Sequence, residues 1–131
     1  MTSSTRVADW IERYEQAWRA AGTSALDRLF TGDAVYRAAP FDEPLKGRDA
    51  IAAFWEAERE GPDERFTLTA ELVAVEGDTG VARIEVIYDE PLSRRYRDLW
   101  IITLTSDDCC CAFEEWPFSP GQVSTAAQGT V

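Results

Sequence analysis

RFTLTAELVAVEGDTGVARIEVIYDEPLSRRYRDLWIITLTSDDCCCAFEEWPF, residues 65–118, is the stretch that decides the fold. It divides into four β-rich segments, 65–76, 80–88, 95–105 and 109–118. Between them lie Gly77-Asp78-Thr79, the run from Asp89 to Arg94, and Ser106-Asp107-Asp108. Val, Ile, Thr and aromatic residues dominate the segments, while the separators carry the Gly and Asp that tight turns favour. Short turns between successive strands make an antiparallel sheet.

Upstream of this stretch the period changes. From Thr5, the apolar residues Val7, Trp10, Ile11, Tyr14, Ala17, Trp18 and Ala21 recur at helical spacing, and Gly22 closes the run. Ser24 caps a short second helix whose apolar side is Ala25, Leu26, Leu29 and Phe30. Thr31-Gly32-Asp33 reads as a turn, Ala34 to Ala38 as a short strand, and Pro40 to Gly47 as an irregular loop. A third helix begins near Arg48, buries Ile51, Phe54 and Trp55, and stops at Gly61-Pro62. Helices followed by hairpin-linked strands predict an α+β domain with helices on one face of an antiparallel sheet. One domain over residues 1–118 is expected, with a flexible, Gly/Ser/Thr-rich tail over 119–131.

Composition narrows the function. With 131 residues, 45% of them hydrophobic, the chain can bury a core of its own. Five Trp, six Phe and four Tyr are generous at this length, and large rings line pockets as well as cores. A net charge of −11 argues against nucleic acid and against an anionic membrane surface. Residues 1–20 carry Asp9, Glu12 and Glu15 where a secretory signal would be apolar, and no apolar run reaches the length of a membrane span. The three cysteines are consecutive, Cys109 to Cys111, so on a strand they alternate in direction and do not converge on a metal. They read as reduced thiols of a cytoplasmic protein. The chain has no histidine, so proton transfer falls to carboxylates, Tyr, Cys, Lys or Arg-supported groups, and His-ligated zinc is excluded.

Three pieces of sequence also carry a family resemblance. They are Phe30-Thr31-Gly32-Asp33-Ala34-Val35-Tyr36, the Glu43-Pro44-x-x-Gly47 loop, and Ala50-Ile51-x-x-Phe54-Trp55. Together with a last strand ending in Phe113-Glu114-Glu115-Trp116-Pro117, they make residues 5–118 resemble the nuclear transport factor 2-like superfamily, SnoaL-like domains included. The resemblance implies a cone-shaped fold: a strongly curved antiparallel sheet which, with three N-terminal helices, encloses a pocket. It also implies a homodimer that covers the convex face. It does not imply one activity, because the scaffold hosts isomerases, dehydratases, hydrolases, cyclases and non-enzymes.

Compared residue by residue, most of the superfamily's chemistries lose a part. The carboxylate base of ketosteroid isomerase falls on Ala38, scytalone dehydratase relies on histidines, and polyketide cyclases use an Asp–His arrangement. Limonene epoxide hydrolase resembles the chain at Tyr36, at Arg83-Ile84-Glu85 for its Arg-x-Asp motif, and at Glu115 for its second acid. The departures are Glu for Asp at both acids and Ala38 in place of Asn.

Strand register yields a constellation without the family. If Asp89 to Arg94 is a symmetric loop, Glu85 lies opposite Asp98 and Arg83 opposite Trp100, which in turn faces Glu115 or Glu114. One sheet face then carries Arg83, Glu85, Tyr96, Asp98, Trp100, Ile102, Phe113 and Glu115. The other carries Ala82, Ile84, Val86, Tyr88, Leu99, Ile101, Ala112 and Trp116. If the first face is concave, Arg83 sits among Glu85, Asp98 and Glu115 and the set can serve as general base and acid. If the second is the core side, the same four are a solvated ion-pair ladder. Carried forward, the catalytic candidates are Glu85, Glu115, Arg83 and Asp98. The ligand-binding candidates are Tyr36, Trp18, Trp55, Trp100, Phe113, Tyr14 and, at the entrance, Phe41. The expected function is a pocket for a small hydrophobic molecule, without metal or organic cofactor. In enzymatic form it is an acid–base hydrolase, lyase or isomerase; the alternative is a non-catalytic binding protein or dimeric scaffold.

Overall fold

A computed structural model describes residues 2–59, 64–90, 93–122 and 124–128. The first helix, α1, spans Ser3–Arg19 and begins earlier than the apolar period alone suggests, because the Thr2 hydroxyl accepts the Thr5 amide and caps it. Its buried stripe is Val7, Trp10, Ile11, Tyr14 and Ala17. A single helical turn, α2, covers Leu26–Leu29; no side chain caps it, so the capping role expected of Ser24 is not filled. The helical stop expected at Gly61-Pro62 lies outside the described residues.

Thr31-Gly32-Asp33 is not a turn. The strand β1 runs unbroken from Phe30 to Arg37, with a register irregularity between Phe30 and Val35. The Gly and Asp that suggested a turn mark a bulge within a strand instead. A two-residue strand, β2 (Leu45–Lys46), precedes α3 (Arg48–Glu58), which buries Ile51 and Trp55. Four long strands follow: β3 (Arg65–Glu76), β4 (Thr79–Glu90), β5 (Arg94–Leu104) and β6 (Cys110–Phe118). The region past residue 118 contains one further helical turn, α4, at Thr125–Gln128.

The six strands form one curved, unclosed sheet in the order β2-β1-β6-β5-β4-β3. All junctions are antiparallel except β1–β6, which is parallel because the chain crosses from one to the other through α3 and the meander. Helix α1 lies across the concave side. Its start is tied to two hairpin turns by Arg6, which reaches Asp108 at 2.6 Å, Asp78 at 2.9 Å and the Thr105 carbonyl at 2.7 Å. Gly80 lets this helix approach: a Cβ there would lie 2.7 Å from Val7 Cγ1.

The β4–β5 ladder corrects the expected register by one residue. Ile84 pairs with Asp98, Glu85 with Arg97 and Arg83 with Leu99. The symmetric loop assumed from Asp89 to Arg94 is one residue too long, since Tyr88 pairs with Arg94. The physical reason is burial. Ala82, Ile84 and Val86 are all buried, and only this parity puts them on the same side as Trp100 and Ile102. On β5 and β6 the expected face holds: Asp98, Trp100, Ile102 and Phe113 are buried, and Trp100 pairs with Glu115.

Candidate functional site

Between the concave face, α1 and α3 lies a cavity of about 390 Å³. Tyr14 and Trp18 enter it from α1, one helical turn apart on the same stripe. Tyr36 comes from β1, Phe54 and Glu58 from α3, and Phe66 and Leu68 from β3. Val86 and Tyr88 on β4 and Arg94, Tyr96, Asp98 and Trp100 on β5 alternate inward, while Glu115 and Pro117 complete the β6 side. Ala38, Ala39 and Asp42, after β1, reach the rim.

Two carboxyls meet inside. Asp98 is only 5% exposed, and its Oδ2 accepts the Trp100 indole N–H at 3.3 Å. Its other oxygen, Oδ1, is buried and meets no N–H of the protein; the donor within reach of Asp98 is the Glu115 carboxyl when it carries a proton. Glu115 stands within hydrogen-bond reach of Asp98. Burial drives the Glu115 carboxyl well above the ordinary range of a glutamate. The hydrogen bond to Asp98 and the Asp98 charge push the same way, the Trp100 N–H opposes them, and the Glu58 charge adds to the rise. The pair therefore keeps a proton at pH values where a solvated glutamate has lost its own.

Beside the acids, the Tyr14 and Tyr36 hydroxyls share a buried hydrogen bond of 3.0 Å. Burial raises both phenols, and the neighbouring Glu115 charge raises them further, so both stay neutral O–H groups. The Trp55 indole N–H beside Tyr36 works against that rise for Tyr36. At the other end of the wall, Arg94 lies 5.0 Å over the Tyr88 ring and 5.9 Å from that of Tyr96. The Trp18 indole N–H is held by Glu64 at 2.9 Å.

Of the residues expected at the site, Tyr14, Trp18, Tyr36, Asp98, Trp100 and Glu115 line the cavity. Trp55 and Phe113 sit behind it: Trp55 packs on Tyr14 and Trp18, and Phe113 stacks on Tyr36. Phe41, expected at the entrance, is fully exposed and points away, while its neighbour Asp42 takes the rim. Arg83 and Glu85 are on the outer face. Arg83 pairs with Glu71, and Arg97 Nε meets Glu85 at 3.0 Å, both in solvent. The corrected β4 register is the cause, and neither residue touches Glu115.

Glu58, Tyr88 and Arg94 escaped the sequence reading as cavity residues. Glu58 left a signal: it follows Ile51, Phe54 and Trp55 at helical spacing, a charge on an otherwise apolar stripe. The cysteines stand outside the site and are unbridged; burial pushes the Cys110 thiol up to about 12. Among the described residues, no helix is long and apolar enough to cross a membrane.

Residues 11–108 match the family pattern of the SnoaL-like domain. No curated protein matches the chain. Several solved structures share its fold. An LEH-like epoxide hydrolase of M. tuberculosis is 12% identical over 87% of this chain and 84% of that one, with a TM-score of 0.68. The epoxide hydrolase/cyclase-like enzyme SalBIII, described with a role in pyran ring formation in polyether salinomycin, is 14% identical over 88% and 92%, with a TM-score of 0.68. An NTF-2 like protein of unknown function from Burkholderia xenovorans LB400 is 16% identical over 98% and 94%, again at 0.68. Identities this low speak for the fold alone. The family match spans most of the chain, and the curved sheet, the helical roof and the cavity between them agree with it: the chain belongs to the SnoaL-like domain family of the nuclear transport factor 2-like superfamily.

Proposed function

We propose that the cavity binds a small, largely apolar organic molecule and that Asp98 and Glu115 move a proton on it, without a metal or organic cofactor. One observation carries this reading: two carboxyls lie side by side in an aromatic-walled cavity, and one of them is held well above its ordinary range. A carboxyl that keeps its proton above the ordinary range of a glutamate can act as a general acid, and a carboxylate beside it as a base. The Tyr14 and Tyr36 hydroxyls are neutral donors placed to hold a ligand oxygen next to that pair. Arg83 and Glu85, on the outer face, have no part in it. Isomerisation, elimination and hydrolysis all fit this equipment.

Tryptophan fluorescence tests the binding step, since Trp18 and Trp100 line the cavity. A panel of small alcohols, ketones and epoxides is titrated, and binders are followed for turnover by proton NMR. Quenching by some members with conversion of at least one supports the reading. Binding without any conversion across a broad panel favours a non-catalytic binding protein. No quenching at all removes the cavity as a binding site.

The outer face favours a second property. Val73, Ile87, Leu99, Trp116 and Phe118 are exposed there, an apolar set of the kind that marks an interaction surface. We propose that a second copy covers this face in a homodimer, with a two-fold, self-complementary contact.

A further inference from the structure

Charge inside the cavity is lopsided. Among the described residues that line it, Asp42, Glu58, Asp98 and Glu115 are acids and Arg94 is the one cation. Arg94 is already engaged, stacked over Tyr88. Glu58, at the end of α3, lines the same cavity and acts on Glu115 electrostatically, so acids from three different elements face one space. The proton held by the Asp98–Glu115 pair relieves part of the repulsion in this aromatic-walled site, and a ligand of opposite charge would relieve the rest.

The identity of that charge follows from spacing and surroundings. Among the described residues, no three acids or thiols converge closely enough to hold a metal ion. A bare dication needs such convergence, with oxygens about 2.0–2.6 Å from it. A larger, softer cation does not. The walls suit one: Tyr14, Trp18, Tyr36 and Trp100 present rings around the acids, and ring faces attract ammonium groups. The protein uses the same attraction on itself, with Arg94 over Tyr88 at 5.0 Å and Arg59 over Trp18 at 5.3 Å. Finally, Asp98 Oδ1 is buried and, apart from a proton shared with Glu115, meets no donor of the protein, and its residue faces the cavity. An ammonium N–H is a donor that would satisfy it.

We infer that the ligand of this cavity is a small organic cation, a protonated amine on an apolar body, seated between Asp98, Glu115 and Glu58. The inference rests on the proposed binding role of the cavity and adds the chemical class. An anionic ligand is disfavoured by the same acids, and by the net charge of −11 that surrounds them.

Three near-isosteric probes separate the possibilities at pH 7: 4-phenylbutylamine, which is protonated, 4-phenylbutanol, which is neutral, and 4-phenylbutyrate, which is an anion. Their dissociation constants are measured by tryptophan fluorescence and by calorimetry on the full chain. The amine is expected to bind about tenfold or more tighter than the alcohol, and the butyrate weakest. Glu58→Gln should shrink the amine-to-alcohol ratio by about threefold or more. Asp49→Asn removes an equal charge from the exposed start of the same helix and should leave the ratio unchanged. If the alcohol binds as tightly as the amine, or the butyrate binds best, the charge inference is overturned while the cavity remains a binding site. Silence from all three probes overturns both. A ratio equally reduced by Glu58→Gln and Asp49→Asn shows only a field effect of the whole protein, and also overturns the seat assigned to the ammonium.

Discussion

Trp100 on β5 is the direct cross-strand partner of Glu115 on β6, and its indole N–H reaches along its own strand to Asp98, two residues away. The two contacts hold the carboxyls on one face of the sheet as diagonal neighbours, since Asp98 itself pairs with Pro117. Period-two alternation puts Asp98 and Trp100 on the same side, and the β5–β6 ladder brings Glu115 level with Trp100, on the diagonal from Asp98. The pair therefore sits on rigid strand backbone rather than on a loop, as a proton-transfer site requires.

Glu115→Gln keeps the size of the side chain and removes the proton-handling group. For a substrate limited by proton transfer, turnover should fall on the order of 10²–10⁴-fold, with a smaller change in binding. Glu114→Gln is the control, because Glu114 pairs with Ile101 and meets Trp116 on the outer face. Steady-state kinetics on both variants checks the assignment. Loss of turnover in the Glu114 variant with a silent Glu115 variant would contradict it.

Trp100→Phe keeps an aromatic ring and deletes the N–H that counters the rise of Glu115. The apparent titration of the acid pair, seen in the pH profile of turnover or ligand binding, should move to higher pH. A profile that stays in place or moves down would show that the indole N–H does not act on the pair.

Stability should carry the mark of Glu115 as well. Its folded value lies above the ordinary value near 4.5, so its contribution is complete below about 4.5. That contribution is lost as pH rises through the raised folded value. The folded state binds the extra proton in this window, and stability declines with pH by up to about 1.4 kcal/mol per unit. Urea unfolding of wild type and Glu115→Gln at several pH values should give a difference that grows in favour of the variant as pH rises. A constant difference would mean that Glu115 titrates as a solvated acid.

Gly80→Ala tests how closely α1 packs on the sheet. The added methyl would lie 2.7 Å and 2.9 Å from the two Cγ atoms of Val7, which is buried and β-branched and cannot swing aside. Overpacking of this kind costs about 1–3 kcal/mol, read as a lower urea midpoint. Val7→Ala in the same chain should recover part of the loss, a non-additivity that separates a steric cause from the backbone effect of losing glycine.

The proposed dimer predicts that Leu99→Lys with Trp116→Lys converts it to a monomer in sedimentation or light scattering without altering the probes' affinity for the cavity. Wild type that sediments as a monomer at high concentration would remove the dimer outright.

Much of this protein was legible in its linear pattern, because the relevant information is local. Helical spacing located α1 and α3, and alternation bounded by turn residues located β3 to β6 within a residue or two. Period two and a short turn put Asp98 and Trp100 on one face of β5 with Glu115 or Glu114 opposite Trp100, but left open whether that face pointed inward. Family likeness supplied the curvature and the roof. What the pattern left open was parity between β4 and β5, since a one-residue change in loop length inverts a whole strand. Tertiary packing settled it: Ala82, Ile84 and Val86 gain burial beneath α1 only when Arg83 and Glu85 face solvent. Only the folded chain could also bring Glu58 into the same cavity as Glu115, because they are 57 residues apart and belong to different elements. Alternation is written into each strand, but which acids share a cavity depends on how separate elements pack.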